Sequence, residues 1–189
     1  MRWAVLASVV TASVLTSVSA HADPQWNAST LAGVCGRGAD GSLWDDTCFY
    51  TGARADVLFA RNRNSDFAIG PYLDVNTAAF DDIRLGGGPS FLMPVHPYFP
   101  LVLSAGPFVR HDEKWTPGVE GWLFFGSRSY NFHSAYSLAG GLVFGYQTEL
   151  RDQKSNAIVI AAQIDVLFVV LPFIAGYQWI SGGPATEDD

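Results

Sequence analysis

Alternation of apolar and polar positions is clearest in residues 156–179, NAIVIAAQIDVLFVVLPFIAGYQW, the most apolar stretch after the leader-like N-terminus. Read with period two, Ile158, Ile160, Ala162, Ile164, Val166, Phe168 and Val170 share one face, while Gln163 and Asp165 share the other. That is the pattern of a half-buried strand, and the β-branched and aromatic composition suits one. A single helix over the same residues is long enough to cross about 30 Å of hydrocarbon. It would, however, hold Asp165 near the bilayer centre at a cost of roughly 2.5–3.5 kcal/mol, with no second apolar span to supply a partner. The pattern therefore predicts a strand, with Pro172 marking its end or an edge irregularity.

Six more runs follow the same rule. Phe49, Thr51, Ala53, Ala55, Val57 and Phe59 oppose Arg54 and Asp56; Phe67, Ile69, Pro71, Leu73 and Val75 oppose Asp74 and Asn76. Ile83, Leu85, Phe91 and Met93 oppose Arg84, Gly86, Gly88 and Ser90, and Leu101, Leu103, Ala105 and Val109 oppose Ser104, Gly106 and Arg110. Val119, Leu123 and Phe125 oppose Glu120 and Arg128; Tyr136, Leu138, Leu142, Phe144 and Tyr146 oppose Gly141, Gly145, Gln147 and Glu149. Paired polar residues within a run agree in parity, as alternation requires. Breaker sequences such as RNRNSD, PVHPYFP, HDEKWT and LRDQKSN join the runs, and no helical period lies between them. Residues 27–36, NASTLAGVCG, form a weaker first strand, which completes eight.

The glycines decide which face points inward. Turned to solvent in a soluble, lipocalin-like barrel, Gly86, Gly88, Gly141 and Gly145 would weaken strands for no gain. Turned inward they fit the narrow interior of an eight-stranded barrel, with Trp122 filling the lumen as a plug. The aliphatic faces then meet lipid. Trp115, Tyr130, Phe132, Tyr136, Tyr146, Tyr177 and Trp179 lie towards run ends, as interfacial girdles do. The predicted fold class is all-β, an antiparallel up-and-down transmembrane β-barrel of about eight strands spanning 27–179. Arg54, Asp56, Asp74, Arg84, Arg110, Glu120 and Asp165 face inward as a lumen charge network.

In this architecture the chain resembles the small eight-stranded outer-membrane β-barrels of Gram-negative bacteria, over nearly its whole length past the leader. The resemblance implies a cell outer-membrane location, lipid around the wall and both termini in the periplasm. The loops 38–46, 80–82, 111–116 and 150–156 would face outward, with 61–66, 94–100 and 131–135 as periplasmic turns. It also implies recognition by the barrel-insertion machinery through an alternating last strand that ends in an aromatic. Here IDVLFVVLPF, ending at Phe173, competes with FIAGYQW, ending at Trp179.

Composition sharpens this picture in a few places. Met1-Arg2 is a short positive start, Trp3 to Val18 is uncharged, and SVSAHADP follows, so residues 1–22 read as a signal peptide cleaved after Ala20 or Ala22 rather than an anchor. Residues 180–189 form a short acidic tail. The chain has 11 basic and 18 acidic residues, and losing Arg2 takes the net charge from −7 to −8, which argues against nucleic acid. Cys35 and Cys48, the only two cysteines, flank the loop-forming GRGADGSLWDDT. In an oxidising compartment they read as a disulfide; a metal site would draw only on Asp45 and Asp46.

Candidate chemistry is thin, and neither an enzyme nor a bound cofactor is expected. His96 sits in a proline-rich turn, His111 opens a solvated loop, and His133 precedes Ser134 with no acid nearby to orient a base. The glycines of LGGGP lack the Lys-Ser/Thr of a phosphate loop. Loop acids Asp45, Asp46, Asp81, Asp82, Asp112, Glu113 and Asp152 read as solvated charge before they read as a cation site. Opposite charges in a lumen barely wide enough for side chains favour closure. A structural or surface-interaction role therefore leads, a narrow pore for small solutes or ions comes second, and a lipid-modifying enzyme third.

Overall fold

The computed structural model describes residues 23–39, 42–129, 135–150 and 155–181. The proposed signal peptide, Tyr130, Phe132, His133, Ser134 and most of the acidic tail lie outside the described residues. Eight strands form one closed antiparallel barrel in chain order, β1 to β8, with β8 pairing back to β1. They are β1 (Gln25–Ala39), β2 (Asp46–Leu58), β3 (Ala68–Ala78), β4 (Ile83–Met93), β5 (Leu101–His111), β6 (Trp115–Arg128), β7 (Ala139–Glu149) and β8 (Ser155–Asp165). A helix, α1 (Val166–Ile180), follows β8 directly. Strands β3, β4, β5, β7 and β8 each have 11 residues, the length a tilted strand needs to cross a bilayer.

Each strand alternates as its sequence does, with polar and small residues buried inside. In β3, Tyr72, Asp74 and Asn76 are buried while Ile69, Leu73 and Val75 are exposed. In β8, Gln163 and Asp165 point inward, and Ile160 and Ile164 point out. The wall is apolar outside and charged inside, the polarity of a membrane-spanning barrel rather than a soluble one. Exposed aromatics cluster at both rims: Trp44, Phe80 and Trp115 at one end, Trp26, Phe59, Phe67 and Tyr98 at the other. The rim carrying both barrel termini also carries the connections 59–67, 94–100 and 129–138, and these are longer than 40–45, 79–82 and 112–114 at the opposite rim.

The last strand is shorter than its alternation predicts. Neither Phe173 nor Trp179 ends β8, which stops at Asp165; Val166, Phe168 and Val170 are helical. Two local features end the strand. The Asp165 carboxylate accepts the Leu167 N–H at 2.9 Å, capping the helix. The β1 edge that a longer β8 would need is already taken: Trp26 donates to Ala135 O and accepts from Ser137 N, pairing in parallel with Tyr136. For the same reason Tyr136 and Leu138 precede β7 instead of starting it. At the other end, β1 extends beyond the predicted 27–36 on both sides.

Candidate functional site: a charged lumen

Alternation carries one or more polar side chains from nearly every strand into the lumen, where they meet in three layers. In the middle layer, Arg54 lies 4.0 Å from Asp74, donates to Ser104 Oγ at 2.5 Å and Ser90 Oγ at 3.3 Å, and stacks over the Tyr72 ring. Tyr72 Oη donates to Glu120 Oε1 at 2.9 Å, and Gln147 Nε2 donates to Glu120 Oε2 at 2.9 Å. Gly86 makes this crowding possible, because a Cβ there would fall 2.2 Å from Glu120 Oε1 and 2.8 Å from Asp74 Oδ1. The Tyr50 and Trp122 rings, with centroids 6.1 Å apart, fill the apolar remainder. Trp122 occupies the volume that Gly145 leaves open.

The second layer lies at the rim opposite the termini. Asp82 Oδ2 sits 2.9 Å from Arg84 Nη2 and 2.8 Å from Arg110 Nε, and Arg37 approaches to 4.0 Å. Arg110 also contacts Glu149 at 2.5 Å and Asp112 at 3.2 Å. Gln147 bridges the two layers by accepting from Arg84 Nη1 while donating to Glu120. On this rim Asp112, outside the strands, accepts the backbone N–H groups of Lys114 and Glu113, which hold its carboxyl below the usual range.

At the rim carrying the termini, Arg128 forms a two-pronged pair with Asp56, both side chains buried. Asp165 accepts from Asn27 Nδ2 at 2.8 Å, Tyr136 Oη at 2.7 Å and Ala139 N at 3.2 Å. This seals the point where the first and last strands meet.

All seven sequence-selected lumen residues lie inside the barrel, all buried except Arg110, which is half-buried. Arg54 and Asp74 are their only mutual ion pair among the described residues. Asp56, Arg110 and Arg84 pair with residues outside that set, namely Arg128, Glu149 and Asp82, while Glu120 and Asp165 accept hydrogen bonds from neutral side chains. Arg128 and Glu149 carried the signal of parity. Asp82 is the larger difference, since its place in a turn predicts a solvated acid and the structure buries it. It shares parity with Arg84, which carries the strand's inward face one step past the turn. Cys35 and Cys48 are joined, directly opposite one another on β1 and β2.

His96 lies at an exposed turn beside Tyr98 and Phe99, and His111 packs edge-on against Trp115. Among the described residues no group of three or more His, Cys, Asp and Glu is arranged to hold a metal. The site is an interior of mutually neutralising charges inside a closed eight-stranded antiparallel barrel, which bears out the predicted all-β barrel.

No family model matches the chain, and no curated protein matches it. Among solved structures the chain is similar to Ail, the attachment invasion locus protein of Yersinia pestis, crystallised with the heparin analogue sucrose octasulfate. The likeness has 15% identity, covers 75% of this chain and 99% of that one, and has a TM-score of 0.41.

Proposed function

We propose that the chain is an integral outer-membrane barrel with a closed lumen, serving a structural or surface-contact role rather than transport. One observation carries this reading. The interior is charged and crosslinked by side chains, whereas the exterior presents Leu73, Leu85, Leu103, Leu142 and Phe144 to the surroundings. A soluble protein has the reverse arrangement, because exposing so much apolar wall to water costs roughly 25 cal/mol per Å². Insertion by the barrel-insertion machinery belongs to this reading. Its signal would have to lie in β8, where Ile160 and Ile164 face outward, because the aromatic Phe173 and Trp179 belong to α1.

A narrow pore is the second reading, favoured by three buried lumen atoms, Tyr50 Oη, Asn76 Oδ1 and Trp122 Nε1, that make no hydrogen bond within the described protein. Such atoms suit ordered water. Isolated water sites satisfy them without a continuous path.

Expression in a Gram-negative host, with fractionation and gel migration before and after boiling, tests the membrane assignment. The expected result is an outer-membrane protein whose migration shifts on heating. A soluble periplasmic protein with no shift would overturn it.

A further inference from the structure

Helix α1 has no place in a water-facing surface. Its 15 residues, VLFVVLPFIAGYQWI, include no charged side chain, and none of them is buried by the barrel. Phe173, Tyr177, Trp179 and Ile180 are each more than 70% exposed. The apolar residues surround the axis instead of forming a stripe, so no polar face exists to meet solvent, unlike an amphipathic interfacial helix. Pro172, inside the helix, removes a backbone donor and frees the carbonyl one turn earlier.

The helix is continuous with the apolar wall. It begins two residues beyond the outward-facing Ile164, directly after the buried Asp165, and Val166 lines the same outer groove as Thr30, Ala53, Leu73 and Val75. At about 1.5 Å per residue it is about 22 Å long, short of the roughly 30 Å of a full crossing. Its far end carries Tyr177 and Trp179, and the sequence then turns polar with Thr186, Glu187, Asp188 and Asp189. Aromatic rings before a charged segment mark the level of a membrane interface.

We propose that α1 is an embedded arm, seated in the hydrocarbon of the bilayer that the barrel spans, and so gives the protein a second lipid-binding surface beside its wall. The proposal rests on the transmembrane reading of the barrel. Lipid is favoured over a protein partner because the helix is apolar on every side, whereas a docked helix needs only one such face.

The two native cysteines are joined, so an introduced cysteine can be labelled alone. Full-length Phe173→Cys, Leu73→Cys and Glu113→Cys proteins, each carrying an environment-sensitive fluorophore, are folded into phosphatidylethanolamine/phosphatidylglycerol vesicles. Quenching by acyl-chain nitroxide lipids is compared with quenching by aqueous iodide. The proposal expects position 173 to behave as position 73 does, with nitroxide quenching gained and iodide quenching lost relative to position 113. Iodide quenching at 173, with 73 still quenched from lipid, overturns the arm and leaves the barrel standing. Protection of 173 from both quenchers overturns it in favour of a protein-covered helix, which oxidative crosslinking of Phe173→Cys copies would identify as a dimer contact. Iodide quenching at 73 removes the membrane reading itself.

Discussion

Arg128 and Asp56 show how the lumen tolerates charge. Each is nearly excluded from solvent, and each supplies what the other lost on leaving water. Removing one member of such a pair costs about 3–5 kcal/mol, because the remaining charge stays buried without compensation. Arg128→Met is therefore expected to lower barrel stability by about that amount, and Asp56→Asn in the same chain to restore much of it. Urea unfolding in detergent micelles, followed by tryptophan fluorescence, measures both; a double variant as unstable as the sum of the singles would show that the two residues act independently. The inward direction of Asp56 and Arg128 was legible from parity alone. Their partnership was not, because which inward residues meet depends on register and tilt around a closed ring. The same limit explains Glu149 and Arg110, which meet across the lumen from β7 and β5. Asp82 was hidden for another reason: a turn position predicts solvent unless the strand's inward face continues into it.

At the scale of elements, seven runs were read correctly as strands because each has one consistent face, and residues 27–36 were read as a weaker first strand, which the structure shows as β1. The largest misplacement is the end of β8; the start of β7 and both ends of β1 also differ. Alternation continues through Val170 whether the backbone is extended or helical, so pattern could not locate the transition. The deciding contacts are distant in sequence: residues 135–137 occupy the β1 edge, and Asp165 caps α1. Tyr136 ties this junction together by donating to Asp165 Oδ1 and Ala28 O. Burial, followed by the hydrogen bond to Asp165 and its negative charge, pushes the Tyr136 hydroxyl up to about 12, with Arg128 pulling slightly the other way. An unfolded tyrosine loses its proton near pH 10. The folded state binds the proton more tightly, so the junction's contribution is fully present below pH 10 and is lost as pH rises from there to about 12. Tyr136→Phe has no proton to lose and should show a shallower decline over that window. Heat-shift midpoints at intervals from pH 8 to pH 12 make the comparison; parallel declines for the two proteins would sink this account.

For the whole molecule, the proposed closed lumen treats the three layers as seals in series, and that reading sets what each substitution should do. Arg84, Arg110, Asp82 and Glu149 meet at one rim, Tyr50, Tyr72 and Trp122 with their charged neighbours fill the middle, and Arg128 pairs with Asp56 at the other rim. Current through barriers in series is governed by the tightest, so opening one leaves the others in force. Purified protein in a planar bilayer is therefore expected to give no discrete conductance steps. Arg84→Ala with Arg110→Ala should remain silent, because the aromatic middle still blocks the path. Adding Trp122→Ala removes the largest side chain of that middle layer and leaves the acids Asp82, Glu149 and Glu120 along the opened side. Steps that favour cations should then appear, provided the variant still migrates as a heat-modifiable barrel. Regular steps from the unaltered protein would replace the closed reading with the narrow pore, and the buried polar atoms of the middle layer would then mark its path. Silence in the triple variant would place the controlling seal at Arg128 and Asp56, which the same measurement on a variant lacking that pair would reveal.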